Sequence, residues 1–257
     1  MKKLNEKDQE IGKIMEIKVS STSKAEVLTR VESLISCNTK FSIVTPNPEL
    51  ILASQTNKDL KKARNSATFS IPDGVGLKIA DPSLKIIKGR ELFLDLIYLA
   101  GKKGWKVFLL GGMDNEAELA ARKLQISNSR LQITSECGPK LNKDAAPTTE
   151  VDKKIEIEVV DKINKFKPQL LFVAFGNPKQ EIWIENNLSK LNVGGAMAVG
   201  GTFRYVAGIS KLPPKWVSKS GFEWLWRLIT EPKRISRIFK AVIVFPVKIL
   251  LYKISNV

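Results

Sequence analysis

The stretch Phe172-Val-Ala-Phe-Gly-Asn-Pro-Lys-Gln-Glu-Ile-Trp183 indicates how this chain folds. It begins as an apolar strand, passes through a turn of small and polar residues, and continues in a helical pattern. Further along, Val199-Gly-Gly-Thr-Phe203 repeats the change from an apolar strand to a small-residue turn. Parallel α/β sheets bind ligands just beyond the carboxyl ends of their strands, so we expect both turns to line a site.

Short apolar runs alternate with helix-period stretches from about residue 41 to residue 200. This alternation predicts an α/β fold with a mostly parallel sheet and helices on both faces. The predicted strands are 41–45, 67–71, 106–111, 131–135, 169–175 and 194–199. The predicted helices are 23–36, 48–63, 91–102, 115–126, 151–166 and 178–190. We divide the chain into a core, residues 1–210, and a C-terminal appendage, residues 211–257.

The composition narrows the possible functions. The 257 residues carry a formal net charge of +16, which predicts an anionic partner, although a lysine-rich composition alone would account for it equally well. The chain has no histidine, which excludes a histidine-containing triad and a histidine-ligated metal. It also has no Asp-x-Asp motif, so we predict no metal site. The distant Cys37 and Cys137 favour a reducing compartment, and the polar N-terminal residues predict no signal peptide.

The appendage differs from the core in charge and hydrophobicity. Residues 211–257 contain ten lysine or arginine residues and two acids, together with Trp216, Trp224 and Trp226. Its apolar stretch is interrupted by charge and is shorter than the roughly 20 residues that span a bilayer. Tryptophan and basic residues beside an apolar helical face favour binding at a membrane interface. The alternative is a pair of helices docked on the core with the lysines in solvent.

Two turns after predicted strands supply the first candidate site residues. In Thr45-Pro-Asn-Pro-Glu49, two prolines fix Asn47 either as a ligand contact or as a helix cap. Asp73, which is followed by Gly74 and Gly76, is the candidate general base because no histidine is available. From its spacing alone, Asp73 could equally be the cap of the next helix.

A glycine turn supplies a third candidate. Gly111 and Gly112 precede a predicted helix, whose free N–H groups would form an anion cradle. The turn lacks the third glycine of the dinucleotide fingerprint, which argues against a nucleotide-dependent oxidoreductase.

The fourth candidate is the turn within residues 172–183. We expect Asn177 to cap the following helix with Pro178 at its first position. Lys179 and Gln180 would then face a phosphate or a sugar hydroxyl. The neighbouring small-residue turn consists of Gly200, Gly201 and Thr202.

These ordered motifs resemble the WecG/TagA/CpsF glycosyltransferase family over about residues 11–240. The matching stretches are Thr45–Glu49, Pro72–Gly76, Gly111–Gly112, Phe175–Trp183, Gly200–Phe203, Ala207–Gly208, Pro214 with Trp216, and Gly221–Arg237. The resemblance implies a Rossmann-like core and an inverting transferase that uses neither metal nor cofactor. It would move an N-acetylmannosamine-type sugar from a UDP donor to the 4-hydroxyl of N-acetylglucosamine on diphospho-undecaprenol, in teichoic acid or surface-polysaccharide synthesis.

The resemblance also implies residue roles. Asp73 matches the proposed base, whereas Thr45, Asn47 and Gln180 match residues of the sugar site. The appendage would close over this site at the inner face of the cytoplasmic membrane, as part of a cytoplasmic, peripheral protein. There, arginine would bind the polyprenyl-linked diphosphate through paired hydrogen bonds. The arginines concerned are Arg227, Arg234 and Arg237.

Two departures from the family pattern leave alternatives open. Gly89-Arg-Glu-Leu92 replaces the family's usual Gly-x-Asp-Leu, and a lysine-rich stretch, Lys85–Lys88, replaces the arginine expected just before it. This leaves Arg90 as the substitute for that arginine, and a catalytically silent sugar-nucleotide-binding relative as one alternative. Arg204 replaces an aspartate and could favour a uronic acid donor. We predict no nucleic-acid partner, because the charge lies beside an apolar tail and no nucleic-acid motif occurs. The oligomeric state is open, with a homo-oligomer as one alternative.

Overall fold

A computed structural model of the chain describes residues 10–113, 115–214, 217, 223–230 and 235–255. Its strands are β1 (Glu10–Ile14), β2 (Ile17–Ser21), β3 (Phe41–Val44), β4 (Phe69–Ser70), β5 (Lys106–Gly111), β6 (Gln132–Glu136), β7 (Leu170–Ala174) and β8 (Gly195–Ala198). Strands β3 to β8 form one sheet in the order β4-β3-β8-β7-β5-β6, and every neighbouring pair is parallel. The six predicted strands are therefore confirmed.

The helices of the core follow the strands in alternation. They are α1 (Lys24–Ser36), α2 (Pro48–Ser54), α3 (Lys58–Ser66), α4 (Gly89–Lys103), α5 (Glu116–Ser127), α6 (Glu150–Phe166), α7 (Lys179–Asn187) and α8 (Thr202–Val206). Short 3₁₀ segments span Val75–Ile79 and Leu188–Lys190. In the appendage, α9 spans Glu223–Thr230, and α10 (Ile235–Phe239) continues through a π-helical segment, Lys240–Val244, into α11 (Phe245–Ser255).

Helices cover both faces of the sheet, as the sequence predicts. Side chains alternate along a strand, so Val107 and Leu109 of β5 pack against α1, α4 and α5. Phe108 and Leu110 point to the opposite face and pack against α3, α6 and α7. Strand β7 is buried along its whole length, which explains why it consists only of apolar residues. The structure is a Rossmann-like α/β fold.

The predicted helix 48–63 is wrong, because the structure has two helices there. Helix α2 ends at Ser54 and α3 begins at Lys58. Asn57 has an extended backbone, and its side-chain oxygen accepts the Leu60 N–H at 2.9 Å. Asparagine stabilises a helix start better than a helix interior, so this cap separates the two helices.

The hairpin formed by β1 and β2 has no counterpart among the predicted strands. Its two-residue turn consists of Met15 and Glu16, which adopt positive φ angles of 47° and 65° without glycine or asparagine. Hairpins are usually recognised by those turn residues, so the sequence offers no clear signal. The hairpin covers a third apolar cluster, in which Ile17 packs with Ile51 and Leu77.

The appendage docks on the same cluster. Phe245 and Ile249 are buried there, whereas many apolar side chains of the appendage remain exposed. The exposed side chains are Leu212, Trp224, Leu225, Ile229, Ile235, Phe239, Ile243, Val247, Leu250, Leu251, Tyr252 and Ile254. Among the helices that the structure describes, none is long and apolar enough to cross a membrane.

Candidate functional site

A cleft of about 960 Å³ lies at the carboxyl ends of the parallel strands. Turns that follow β3, β4, β5, β6, β7 and β8 all contribute to its walls. This volume is within the usual range for sites that bind small molecules and cofactors. The cleft therefore lies where residues 172–183 and the small-residue turn at residue 200 predict a binding site.

Most of the predicted site residues line this one cleft. They are Thr45, Asn47, Asp73, Arg90, Gly112, Asn177, Lys179, Gln180, Gly200, Gly201, Thr202 and Arg237. Arg234 lies outside the described residues, and only the backbone of Arg227 is described.

Three predicted glycines shape the walls without lining the cleft. Gly74 has a φ of +93° and Gly111 a φ of +96°, which L side chains rarely adopt. At Gly76, a Cβ would lie 2.9 Å from Cγ of Pro48. These glycines allow tight turns and close packing, and a direct ligand contact is not needed to explain them.

Asp73 and Thr45 lie together against the start of α4. A Cβ added at Gly89 would lie 3.5 Å from Oδ2 of Asp73 and 3.2 Å from Cγ2 of Thr45. Asp73 is half-buried, and its backbone N–H donates to the Pro46 carbonyl at 2.8 Å, which ties two walls of the cleft together. The alternative role of Asp73 as a helix cap is wrong, because Gly74 occupies that position and no side chain caps the segment.

Asn47 is both a helix cap and a residue of the cleft. Its Oδ1 accepts the Leu50 N–H at 2.9 Å, which confirms the cap at the start of α2. Sequence analysis did not identify Glu49, whose Oε1 lies 2.6 Å from Nε of Arg237. This ion pair brings the appendage to the rim of the cleft. Its partners are 188 residues apart, and no local pattern could reveal it.

The prediction of a free anion cradle at Gly111 and Gly112 requires correction. The Gly112 N–H donates to the Ala174 carbonyl at 3.0 Å. The Met113 N–H donates to Oε2 of Glu116 at 3.1 Å, so a carboxylate of the chain itself already occupies the turn. Helix starts favour such acids, and Glu116 in the first turn of α5 was the available signal.

Glu116 also faces Arg204, the residue that departs from the family pattern. Oε1 of this buried carboxylate lies 3.0 Å from Nε of Arg204. Arg204 is partly exposed in the cleft, and its charge is balanced locally by Glu116.

The predicted cap at Asn177 is wrong as well. Pro178 occupies the cap position, α7 begins at Lys179, and no side chain caps the helix. Instead, the Asn177 amide lies beside Gln180 and Glu181. The Asn177–Pro178 peptide bond is cis.

Gln180 connects the turn after β7 with the turn after β8. It is 3% exposed, and its Oε1 accepts the Gly200 N–H at 3.1 Å. Lys179 already has a partner, because its Nζ donates to the Leu141 carbonyl at 3.2 Å. Lys179 therefore anchors the loop that follows β6.

That loop is held by one carboxylate. Asp152 accepts the Lys140 N–H at 2.9 Å and hydrogen bonds from the hydroxyls of Thr148 and Thr149 at 2.6 Å and 2.7 Å. These hydrogen bonds stabilise the charged form and lower the pKa of Asp152 to about 2. Residues 137–141 thus form a fixed wall of the cleft.

The side chains that line the cleft carry a surplus of positive charge. Six basic side chains line it, at positions 88, 90, 140, 179, 204 and 237, against three acidic side chains at positions 49, 73 and 116. The Arg90 guanidinium stacks 5.4 Å from the ring centre of Tyr205, which positions it at the wall. Within the described ranges, no group of three or more histidine, cysteine or acidic residues is arranged to hold a metal ion.

The fold and the cleft define an α/β protein with a basic cleft at the carboxyl edge of a parallel sheet, where folds of this kind bind their ligands. The model of the Glycosyl transferase WecG/TagA/CpsF family matches residues 12–257, and the chain belongs to this family. It is therefore a glycosyltransferase, which confirms the resemblance seen in the sequence.

Curated relatives are similar over nearly their whole length. Proteins of Staphylococcus aureus strains NCTC 8325 / PS 47 and COL are each 29% identical to this chain over 244 residues. The match covers 92% of this chain and 91% of each relative. Both relatives are named N-acetylglucosaminyldiphosphoundecaprenol N-acetyl-beta-D-mannosaminyltransferase.

Proposed function

We propose that this glycosyltransferase moves an N-acetylmannosamine-type sugar from a UDP donor to the 4-hydroxyl of N-acetylglucosamine on diphospho-undecaprenol. We further propose that the reaction inverts the anomeric centre, needs no metal, and serves teichoic acid or surface-polysaccharide synthesis. One observation supports this best: Asp73 and Thr45 lie together in a basic cleft that an arginine of the appendage also reaches. The names of the similar staphylococcal enzymes support the choice of sugar and acceptor.

In the proposed reaction, the Asp73 carboxylate accepts the proton of the acceptor hydroxyl. The hydroxyl oxygen then attacks the anomeric carbon from the side opposite UDP, and the bond between that carbon and the diphosphate breaks. A single displacement of this kind inverts the configuration. The basic cleft stabilises the negative charge of the departing diphosphate, and Arg90, which stacks on the Tyr205 ring at the wall, is the proposed guanidinium contact.

The donor sugar is proposed to lie between the turns after β7 and β8. Gln180 joins these turns, and the small residues Gly200, Gly201 and Thr202 leave room beside it. A neutral N-acetyl sugar is favoured over a uronic acid, because Glu116 already faces Arg204 and would repel a second carboxylate.

The acceptor is proposed to enter from a membrane surface. Its diphosphate would replace Glu49 as the partner of Arg237, since a doubly charged group competes well for a guanidinium. The exposed apolar side chains of α9 to α11, together with Lys240, Lys248 and Lys253, suit the interface of an anionic bilayer. We therefore propose a peripheral enzyme at the inner face of the cytoplasmic membrane.

The variant Asp73→Asn tests this proposal. Transfer from UDP-N-acetylmannosamine to a short-chain diphospholipid acceptor should fall about 10²- to 10⁴-fold, as expected when a general base is lost. Donor affinity, measured by calorimetry, should change little. Asp81→Asn is the matched control, because Asp81 pairs with Ser83 outside the cleft.

The same assay checks the remaining parts of the proposal. A chelator should leave the rate unchanged, and a panel of UDP-sugars should identify the N-acetylmannosamine donor as preferred. Undiminished turnover by Asp73→Asn would refute the assignment of the base. Binding of UDP-sugars without any transfer by the unaltered enzyme would instead favour a catalytically silent relative.

A further inference from the structure

A fully buried ion pair lies behind the cleft. Arg64 of α3 is 0% exposed and Glu181 of α7 is 2% exposed, and Nη2 of Arg64 lies 3.1 Å from Oε1 of Glu181. Neither residue lines the cleft. Sequence analysis did not identify either of them as a functional residue.

This pair is poorly suited to stabilise the fold. Burial raises the pKa of Glu181 and lowers the pKa of Arg64, and each opposes the charged state of its group. Nε and Nη1 of Arg64 have no hydrogen-bond partner among the described residues. A buried pair with unsatisfied donors is often no more stable than well-packed apolar residues of similar volume. Its presence therefore calls for a role other than stability.

The Glu181 carboxylate contacts both amides of the neighbouring turn. One atom of the Asn177 amide lies 2.8 Å from Oε2 of Glu181 and 3.1 Å from Nε2 of Gln180. Beside a carboxylate, which only accepts, this atom is the amide nitrogen, and it donates to Glu181. Its contact with Nε2 of Gln180 then joins two donors and is not a hydrogen bond, so Glu181 is the common acceptor of both amides. Nε2 of Gln180 lies 3.4 Å from Oε1 of Glu181.

These contacts fix the direction of both amides. A side-chain amide can rotate by half a turn with almost no change of shape, so only its hydrogen-bond partners determine where its oxygen points. Glu181 holds the nitrogens of Asn177 and Gln180 on the buried side. The oxygen of Gln180 is then free to accept the Gly200 N–H at 3.1 Å, and the oxygen of Asn177 is turned away from Glu181.

We propose that Glu181, paired with Arg64, is a positioning residue that orients the amides of Asn177 and Gln180 for recognition of the donor sugar. The positive charge of Arg64 partly offsets the cost of burying the carboxylate. The carboxylate holds the amide nitrogens and so leaves the Asn177 oxygen, and the second lone pair of the Gln180 oxygen, to accept from sugar hydroxyls. The proposal rests on the proposed function, because it requires this turn to contact the donor.

Two double variants separate positioning from folding. Arg64→Met/Glu181→Leu replaces the pair by apolar residues of similar size, and we expect it to fold with a Tm close to that of the unaltered enzyme. It removes both contacts to the amides. Arg64→Met/Glu181→Gln also lacks the ion pair but retains an amide oxygen that accepts from Asn177 and Gln180.

We expect Arg64→Met/Glu181→Leu to raise the KM for UDP-N-acetylmannosamine about tenfold, with a smaller change in kcat. Calorimetry should show weaker binding of UDP-N-acetylmannosamine but unchanged binding of UDP, since only the sugar contacts are lost. Arg64→Met/Glu181→Gln should recover most of the affinity. A merely structural pair would affect both ligands alike and would show no such recovery.

Three results would overturn the proposal. They are an unchanged donor KM in Arg64→Met/Glu181→Leu, equal impairment of both double variants, and failure of Arg64→Met/Glu181→Leu to fold, which would make the pair structural. The variant Gln180→Ala distinguishes this failure from failure of the proposed function. If Gln180→Ala weakens donor binding and the apolar double variant does not, only the positioning role is wrong. If neither weakens donor binding, the proposed donor site itself is wrong.

Discussion

The turns after β5 and β7 are alike in sequence but different in chemistry. Each passes from a buried strand through a glycine with positive φ into a helix, at Gly111 and at Gly176 respectively. After β5, the carboxylate of Glu116 folds back onto the turn and accepts the Met113 N–H at 3.1 Å. After β7, the carboxylate of Glu181 is buried behind the turn and holds the side-chain amides instead.

This difference teaches that the position of one acid decides what a strand–glycine–helix turn can bind. An acid on the open side closes the turn to anions, because like charges repel. An acid on the buried side leaves the open side free and orients the groups that line it. We therefore expect donor recognition to depend on the turn after β7 much more than on the turn after β5.

The largest effect expected from this comparison is that of Gln180→Ala. It removes a buried amide that joins two turns and leaves the Gly200 N–H unpaired. The loss of a contact to the sugar and the disorder of the turn together should lower kcat/KM for the donor about 100-fold, which corresponds to about 3 kcal/mol. Steady-state kinetics checks this, with Gln132→Ala, whose side chain is exposed on the edge strand β6, as the control. A loss below threefold would contradict the comparison.

Arg237→Gln should weaken binding of the acceptor and leave binding of the donor at the two turns unchanged. The guanidinium at the rim is proposed to bind the lipid diphosphate, so we expect an about tenfold higher KM for the acceptor and an unchanged KM for the donor. Lys248→Gln is a suitable control, because Lys248 is exposed on α11 outside the cleft. An effect on donor KM alone would place Arg237 at the donor instead.

Glu116→Gln should change selectivity more than overall rate. Without this carboxylate, the charge of Arg204 is no longer balanced and becomes available to an acidic sugar. We expect the rate with a UDP-uronic acid, relative to UDP-N-acetylmannosamine, to rise about twofold to fivefold, as an added charge–charge contact in a partly exposed site allows. Competition assays with the two donors measure this ratio. A fall in the ratio would show that Arg204 does not face the donor sugar.

Asp152→Asn should produce the smallest effect of these variants, a loss of thermal stability that arises in the loop after β6. The pKa of Asp152 is lowered from 3.8 to about 2 in the folded protein, so its stabilising effect is present above about pH 4 and is lost as the pH falls towards 2. The variant should therefore have a lower Tm at pH 7, by a few degrees, and most of the difference should be lost at pH 2. Thermal unfolding at both pH values tests this. A difference that persists at pH 2 would mean that the asparagine itself disturbs the loop.

Much of the fold could be predicted because it depends on local patterns. Apolar runs of strand length with turn residues between them mark the six parallel strands, and β7 is apolar because it is buried on both faces. The break between α2 and α3 escaped prediction, since buried residues continue at helical spacing on both sides of Asn57. The hairpin β1–β2 escaped it because its turn contains neither glycine nor asparagine.

The candidate site likewise has a part that could be predicted from the sequence and a part that could not. The sequence by itself determined that strand ends carry Asn47, Asp73 and Gln180, and the lack of histidine left Asp73 as the candidate base. Only the tertiary structure decided that Glu116 closes one turn, that Glu49 meets Arg237, and that Arg64 lies under Glu181. The last two pairs join residues 188 and 117 positions apart. Periodicity and turn chemistry act between near neighbours in the chain, whereas ion pairs of this kind exist only once packing has brought distant helices together.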